Sequence, residues 1–186
     1  MENSKLVIVD MVNGFVKYGN LADNRIMSIV DNIKKLVKEY EDIIVLEDCH
    51  NEGCEEFNSF PPHCVVGSGE EKTIDELMEV LPSDCVFVPK NSTNGFYQLA
   101  KHDLVDAKRY VLVGCCTDIC VMQLALSLKT YANEQDNDTE VIVVSDACDT
   151  YGMDGHNRDE YHDKALSLMA LAGVKVVTCA DLLKGE

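Results

Sequence analysis

The fold is decided by one stretch of the sequence, Val113-Gly114-Cys115-Cys116-Thr117-Asp118-Ile119-Cys120-Val121. It follows an apolar run, Tyr110 to Val113, that has the composition of a buried strand, and it leads into a helix predicted over Asp118–Tyr131. A cysteine at the start of a helix points its sulfur at unpaired backbone N–H groups and at the positive end of the helix dipole. This position predicts a lowered thiol pKa and a larger fraction of nucleophilic thiolate.

Short β-branched runs alternate with segments of helical period along the whole chain. The predicted strands are Lys5–Val9, Ile43–Leu46, Val86–Val88, Tyr110–Val113, Val141–Ser145 and Val174–Val177. The predicted helices are Ala22–Tyr40, Thr73–Leu81, Asp118–Tyr131 and Asp159–Ala172, with a short terminal turn at Ala180–Lys184. This alternation indicates βαβ units and a parallel sheet. We therefore predict an α/β fold of three layers, a six-stranded parallel sheet with helices on both faces.

Polar or nucleophilic side chains follow several of the predicted strands at their carboxyl ends. They are Asp10, Asp48, Lys90 and the Gly114–Cys120 turn. In open parallel sheets, ligands bind beyond these ends of the strands. Two long connections, Asp48–Thr73 and Asp146–Arg158, also begin there, and loops of this length in a compact domain are usually functional or mobile. The sequence therefore predicts a site at this edge of the sheet.

Size and composition restrict the classes of protein to consider. The 186 residues suffice for one domain with a full core, so we predict a single domain over residues 1–186. The 33 acidic and 16 basic residues give a net charge of −17, which argues against nucleic acid and anionic membranes as partners. We find no run of 18 apolar residues and no signal pattern at the N-terminus. Nine cysteines near predicted strands indicate free thiols in a reducing cytoplasm.

Asp10, Lys90 and Cys120 form a set that suits nucleophilic hydrolysis. A cysteine is mostly protonated at neutral pH, so it needs a base or a stabilising cation. Asp10 can take the thiol proton and pass it to a leaving amine, and Lys90 can favour the thiolate. Each residue alone also fits a simpler interpretation, but their position at three strand ends favours an enzyme. Cys115 and Cys116 precede the helix and are weaker nucleophile candidates; a zinc site made of the three cysteines lacks a second pair at ligand spacing.

A second polar set lies in the first long connection and has the composition of a metal site. Its members are Asp48, His50, Glu56 and His63. Asp48 and His50 are two residues apart, so in an extended segment their side chains project to one side. Two imidazoles and two carboxylates suit one divalent metal ion, zinc first, with iron or manganese as alternatives. Further ligand candidates are Cys49, Cys54 and Cys64.

Aromatic residues supply candidates for the walls of a flat apolar pocket, because aromatic rings stack well on one another. These candidates are Phe15, Phe60 and Phe96, and ordinary core packing is the alternative for each. The remaining histidines are interpreted as structural or surface groups: His102, His156 and His162.

These residues together resemble the isochorismatase-like cysteine hydrolases, and more narrowly the nicotinamidases, over nearly the whole chain. Asp10–Phe15 matches the family element D-M-x-N-x-F that follows the first strand. Lys90 matches the lysine that ends a middle strand. Gly114–Val121 matches the nucleophile turn G-x-x-T-D-x-C-V, so the resemblance assigns the nucleophile to Cys120.

The metal signature of the nicotinamidases is also matched. That signature is D-x-H followed by F/W-P-P-H-C, and it corresponds here to Asp48, His50 and Phe60–Cys64. Glu56 matches a further ligand position that some members fill with Glu. The resemblance thus implies a metal-containing member of the family, with the isochorismatase-like hydrolase fold.

The implied reaction is hydrolysis of nicotinamide to nicotinate and ammonia, as part of NAD salvage. Cys120 would attack the carboxamide to form a thioester while Asp10 protonates the departing ammonia. Water, activated by Asp10 or near the metal, would then cleave the thioester. Backbone N–H groups of Cys116 and Cys120 would hold the oxyanion, and the peptide bond between Cys115 and Cys116 would be cis.

The resemblance implies further features and has two departures. The metal would anchor the pyridine nitrogen while Phe15 and Phe60 hold the ring, and homo-oligomers are frequent among relatives. Gly14 stands where Asp is common, and Thr93 stands where several nicotinamidases carry a pocket tyrosine. The alternatives are hydrolysis of another small amide, such as a carbamoyl amine or a pyrazinamide-like ring, and a non-catalytic ligand-binding member of the fold.

Overall fold

The computed structural model describes residues 3–185 and contains one six-stranded sheet. The strands are β1 (Ser4–Val9), β2 (Asp42–Asp48), β3 (Val86–Lys90), β4 (Arg109–Cys115), β5 (Glu140–Asp149) and β6 (Lys175–Val177). Their order across the sheet is β3-β2-β1-β4-β5-β6, and every neighbouring pair is parallel. All six predicted strands are therefore confirmed.

Helices of very different length lie between these strands and after the last of them. They are α1 (Asn13–Val16), α2 (Val30–Val37), α3 (Asp75–Met78), α4 (Phe96–Lys101), α5 (Met122–Glu134), α6 (Arg158–Leu171) and α7 (Cys179–Lys184). Two 3-10 helices cover Asn24–Ile29 and Glu55–Asn58, and a π-helical turn covers Thr117–Val121. The helix predicted over Ala22–Tyr40 is thus divided into a 3-10 segment and α2.

The sheet is covered on both faces, as the sequence predicts. Leu6 and Ile8 of β1 pack into a hydrophobic cluster that includes α2 and α7. Val7 and Val9, which point to the opposite face, pack into a second cluster that includes α4, α5 and α6. Every residue of β1 is buried, which is typical of a central parallel strand. The α/β class and its three layers are confirmed.

The second long connection begins later than the sequence predicts. β5 was expected to end at Ser145, but it continues to Asp149 and pairs again with β4 after a shift in register, with Gly114 opposite Cys148. The added part of β5 contains two aspartates, so a pattern based on apolar runs does not predict it. The connection that remains before α6 therefore starts at Thr150.

Strands are added outward from β1 on one side of the sheet and outward from β4 on the other, so β1 and β4 flank the point where the strand order changes direction. In open parallel sheets, ligands bind in the crevice at this point. Gly114 makes the close approach of these strands achievable. Its φ is +113°, and a Cβ at this position would lie 2.1 Å from the carbonyl oxygen of Val9. Directly after these residues, the Cys115 thiol donates to the carbonyl oxygen of Asp10 at 3.1 Å. The contact therefore fixes the ends of the two strands against each other.

Within residues 3–185, every helix is too short or too polar to cross a lipid bilayer.

The close contact at Gly114 predicts a large loss of stability in Gly114→Ala. The added methyl group would clash with the backbone of Val9, and alanine would be held at a φ that it rarely adopts. We therefore expect the free energy of unfolding to fall by about 3 kcal/mol. Gly67→Ala is the matched control, because Gly67 has φ +81° with open space around its Cβ position. It should lose only about 1 kcal/mol. Equal urea midpoints for the two variants would contradict the steric argument.

Candidate active site

The side chains of Asp10, Lys90 and Cys120 lie together beyond the carboxyl ends of three strands. Lys90 Nζ is 2.9 Å from Asp10 Oδ2 and 3.9 Å from Cys120 Sγ. The three residues are buried, with exposed fractions of 0%, 1% and 4%. The structure therefore brings together the three residues that sequence analysis selected from distant parts of the chain.

Asp10 is held in a conformation that few residues adopt. Its φ is +50°, a left-handed backbone that costs about 1 kcal/mol outside glycine. Its backbone N–H donates to the carbonyl oxygen of Leu46 in β2 at 3.0 Å. The sharp turn after β1 thus directs the carboxylate toward Lys90.

The environment of Asp10 suits proton transfer near neutral pH. Burial favours the neutral acid and outweighs the opposing charge of Lys90, while Asp48 adds to the effect, so the pKa of Asp10 is raised to about 7. A group that exchanges protons in catalysis works best when its pKa lies near the working pH. Asp10 is therefore suited to act as both base and acid.

The expected lowering of the Cys120 pKa is wrong for this arrangement. Burial raises the pKa of the thiol well above its usual value, although the charge of Lys90 opposes this change. The helix dipole was expected to dominate, but Cys120 lies inside the π-helical turn and is almost completely desolvated. The thiol consequently needs a base beside it, and the Asp10 carboxyl is the adjacent candidate.

The four residues predicted as metal ligands converge next to these groups. One ligand atom from each of Asp48, His50, Glu56 and His63 lies within 4.8 Å of the other three. Asp48 Oδ2 is 2.9 Å from His50 Nε2 and 3.0 Å from His63 Nε2. Glu56 Oε1 lies 3.6 and 3.8 Å from the same two nitrogens. This set of two nitrogen and two oxygen donors fits a divalent metal ion.

Acceptors on the outer side of both imidazoles support this fit. His63 Nδ1 donates to the carbonyl oxygen of Pro61 at 2.8 Å, and His50 Nδ1 lies 3.1 Å from Asn91 Oδ1. A proton on Nδ1 leaves the Nε2 lone pair facing inward, which is the usual orientation of a metal-binding imidazole. Cys54 Sγ lies 3.3 Å from this outer nitrogen of His50, so it approaches from outside the set of four.

The two departures from the family pattern are explained by their neighbours. The Thr93 N–H donates to Glu56 Oε2 at 3.0 Å, which leaves Oε1 directed at the imidazoles. Gly14 lies against the segment that follows His63, and a Cβ there would be 2.6 Å from Cys64 Sγ. The turn after Asp10 is therefore tightly packed at Gly14.

A cavity of about 690 Å³ opens onto both groups of side chains. Cys116 and Cys120 line it, and so do three of the candidate ligands, whereas Asp10 and Lys90 are fully buried beside it. Phe15 and Phe60 are part of the wall, and their ring centroids lie 5.5 and 6.2 Å from that of His63. The peptide bond between Cys115 and Cys116 is cis, as the resemblance implied.

The placement of Phe96 in the pocket is wrong. Phe96 begins α4, is half-buried and packs against Tyr131 with a centroid distance of 5.4 Å, at the border of the hydrophobic cluster on the α5 side of the sheet. The alternative, ordinary apolar packing, fits this residue better, with its ring beside the partly exposed Tyr131. The aromatic side chain that sequence analysis missed is Tyr151, which lines the cavity from the second long connection. The length of that connection was the available signal.

Two histidines interpreted as structural or surface groups contact the turn that carries Cys120. His162 Nδ1 lies 2.9 Å from Thr117 Oγ1, and His156 Nε2 lies 2.8 Å from Asp118 Oδ2. Asn91 and Thr93 follow Lys90 closely, but their partners His50 and Glu56 lie about 40 residues earlier in the chain. The two histidines likewise lie about 40 residues after the turn that they contact. Spacing patterns could not identify them, because their partners are brought to them by the fold.

Comparison with known proteins gives a consistent result. The family described as "Isochorismatase domain" matches residues 4–181. Nicotinamidase 1 of Arabidopsis thaliana is 30% identical over an alignment of 208 positions. The alignment covers 93% of this chain and 84% of the relative.

Two solved structures illustrate the shared fold. A nicotinamidase/pyrazinamidase of Acinetobacter baumanii has 22% identity and a TM-score of 0.78, with 98% of this chain and 99% of the other covered. The pyrazinamidase of Pyrococcus horikoshii, solved in complex with zinc, has 23% identity and a TM-score of 0.74, with 95% and 99% covered. The chain belongs to the isochorismatase family and is an amidohydrolase of its nicotinamidase branch.

Proposed function

We propose that this chain is a metal-containing nicotinamidase, which works as a single isochorismatase-like hydrolase domain and converts nicotinamide and water to nicotinate and ammonia. The observation that carries the proposal is that a buried thiol, its base and four converging ligand atoms adjoin one cavity with aromatic walls. The 30% identity to a nicotinamidase over most of the chain supports the same substrate.

The reaction begins with a proton transfer inside the buried triad. Asp10 takes the proton of the Cys120 thiol, and the sulfur attacks the carboxamide carbon. Lys90 stabilises the negative charge that passes between the carboxylate and the sulfur. Asp10 then returns the proton to the amide nitrogen, and ammonia leaves as the thioester forms.

The second half of the reaction regenerates the enzyme. Asp10 removes a proton from water, the resulting hydroxide attacks the thioester carbon, and nicotinate leaves as Cys120 recovers its proton. Backbone N–H groups of Cys116 and Cys120 are the proposed oxyanion donors, and each such donor contributes about 3 kcal/mol in comparable enzymes.

Asp48, His50, Glu56 and His63 would hold the divalent ion, zinc first, with iron and manganese as alternatives. When bound, the ion supplies an electrophilic centre that can accept the lone pair of the pyridine nitrogen. Phe15 and Phe60 hold the ring. A role in NAD salvage, a cytoplasmic location and assembly into homo-oligomers remain predictions of the sequence.

Replacement of the nucleophile tests the proposal directly. Cys120→Ala should lower ammonia release from nicotinamide by at least about 10³-fold, because it removes the sulfur that the proposed mechanism uses to form the thioester. Binding of nicotinate should remain measurable in this variant. Cys85→Ala, which removes a half-buried thiol outside the cavity, is the control and should keep full activity.

A panel of amides identifies the substrate in the same assay. If the wild-type protein releases ammonia from another small amide but not from nicotinamide, the thiol chemistry stands and the substrate is wrong. If wild type and Cys120→Ala behave alike on every amide, the nucleophile is wrong.

Loss of one imidazole should empty the metal site. We expect wild-type protein purified without chelator to carry about one equivalent of a divalent metal, and His63→Ala to carry less than a tenth of that, since three ligands of a mixed set bind far more weakly. Elemental analysis by mass spectrometry is the measurement. His102→Ala removes an exposed histidine and should leave the metal content unchanged. Equal metal in all three proteins would refute the ligand assignment.

A further inference from the structure

The segment Thr150–His156, here called the 150–156 loop, forms one wall of the cavity. Tyr151, Gly152 and Met153 all line it. The loop is closed by a pair of backbone hydrogen bonds between Met153 and His156, of 3.1 and 3.0 Å. The reaction proposed above uses none of these residues, so their arrangement needs a separate explanation.

Asp118 fastens the loop at both of its ends. Its Oδ1 accepts from Thr150 Oγ1 at 2.5 Å, and its Oδ2 accepts from His156 Nε2 at 2.8 Å. Asp118 lies two residues before Cys120 in the π-helical turn. The wall of the cavity is therefore attached to the same turn that presents the thiol.

His156 fixes the orientation of the Tyr151 ring. Its Nδ1 lies 3.0 Å from the carbonyl oxygen of Tyr151 and its Nε2 lies 2.8 Å from Asp118 Oδ2, so each ring nitrogen faces an acceptor. The two rings are stacked, with centroids 4.1 Å apart and an angle of 8° between their planes. Tyr161 of α6 covers His156 with a centroid distance of 3.9 Å. Tyr151 is thus backed by a stack of rings.

A second set of contacts joins this loop to the wall that contains Phe15. Asp23 Oδ2 accepts from the Gly152 N–H at 3.1 Å, and Arg25 Nη2 donates to the Gly152 carbonyl oxygen at 3.2 Å. The Asp23 N–H in turn donates to the carbonyl oxygen of Phe15 at 2.9 Å. The two aromatic walls are therefore held at a fixed separation before any substrate enters.

We propose that Tyr151 is a specificity-determining residue that contacts the ring of a flat aromatic amide, and that His156 and Asp118 are the positioning residues that hold it. The inference rests on the proposed amidase function and extends it to a wall outside the catalytic motifs. A ring whose orientation is already fixed loses little conformational freedom on binding, so it favours planar ligands over puckered ones of equal size.

The test compares Tyr151→Leu with Tyr151→Phe and with Tyr97→Leu, a control that removes an exposed tyrosine in α4. Tyr151→Leu should raise KM for nicotinamide about fivefold, the size of one aromatic contact, with kcat within about twofold of wild type. The inhibition constant of cyclohexanecarboxamide, a puckered ring, should stay unchanged. Tyr97→Leu should match wild type in every constant, and Tyr151→Phe, which keeps the ring, should not show the rise in KM that Tyr151→Leu shows.

His156→Ala tests positioning, because this residue acts through Tyr151. It should raise KM for nicotinamide as Tyr151→Leu does, and the double variant should add nothing further. Alkylation of Cys120 by iodoacetamide, mapped by mass spectrometry, should proceed at the wild-type rate. An unchanged KM in both single variants overturns the inference, and so does an equal loss for the flat and the puckered ring.

Titration calorimetry with nicotinate separates this inference from the proposed reaction. If the wild type binds nicotinate but hydrolyses no amide, the proposed function fails, and the ratio of dissociation constants for Tyr151→Leu and wild type still decides the role of the wall. A ratio of about five supports it, and a ratio near one overturns it. If the wild type neither binds nor hydrolyses, both proposals fall.

Discussion

The arrangement of the site depends on the contacts of one buried group, the ammonium of Lys90. Its Nζ lies 2.9 Å from Asp10 Oδ2, 2.6 Å from Asp48 Oδ1 and 3.0 Å from the carbonyl oxygen of Ser92. A buried ammonium without partners costs several kcal/mol, so the groups around it are strongly constrained. Because Asp48 uses its other oxygen for two imidazoles, one cation aligns the thiol centre with the candidate metal cluster.

Asp10 and Asp48 both contact Lys90, but the pKa values of their carboxyl groups shift in opposite directions. Burial favours the neutral form of both. For Asp48, the charge of Lys90 and the contacts of Oδ2 with both imidazoles prevail and hold its pKa well below the usual range. For Asp10, burial prevails and its pKa rises to about 7. Two carboxyl groups that share one partner thus divide their work: Asp48 is a permanent anion, and Asp10 carries the proton.

Sequence reasoning predicted the sheet and the groups at its carboxyl edge, because strand patterns and strand ends are local features. It failed where a residue's surroundings are decided by distant chain. Phe96 is apolar and follows Lys90 closely, yet α4 turns it away from the cavity and against Tyr131. The rise in the Cys120 pKa has the same origin, since desolvation depends on everything packed around the thiol and not on its position in a helix. Helix boundaries failed for a related reason. At the short helix α1, the N–H groups of Asn13 and Gly14 donate to carbonyl oxygens more than 50 residues away in the chain, and a local pattern does not contain these contacts.

The last third of the chain supplies no atom to the proposed reaction, yet it belongs to the site because it holds the π-helical turn in place. The Val121 N–H reaches back five residues to the carbonyl oxygen of Cys116 at 3.1 Å, a widened turn of the kind common at functional sites. Its regular bonding is supplemented from outside: Thr117 contacts His162 of α6, and Asp118 holds the 150–156 loop. The Cys120 thiol therefore faces Lys90, while Thr117 and Asp118 of the same turn contact α6 and the 150–156 loop. The family match, which runs to residue 181, spans the segments that make these anchors.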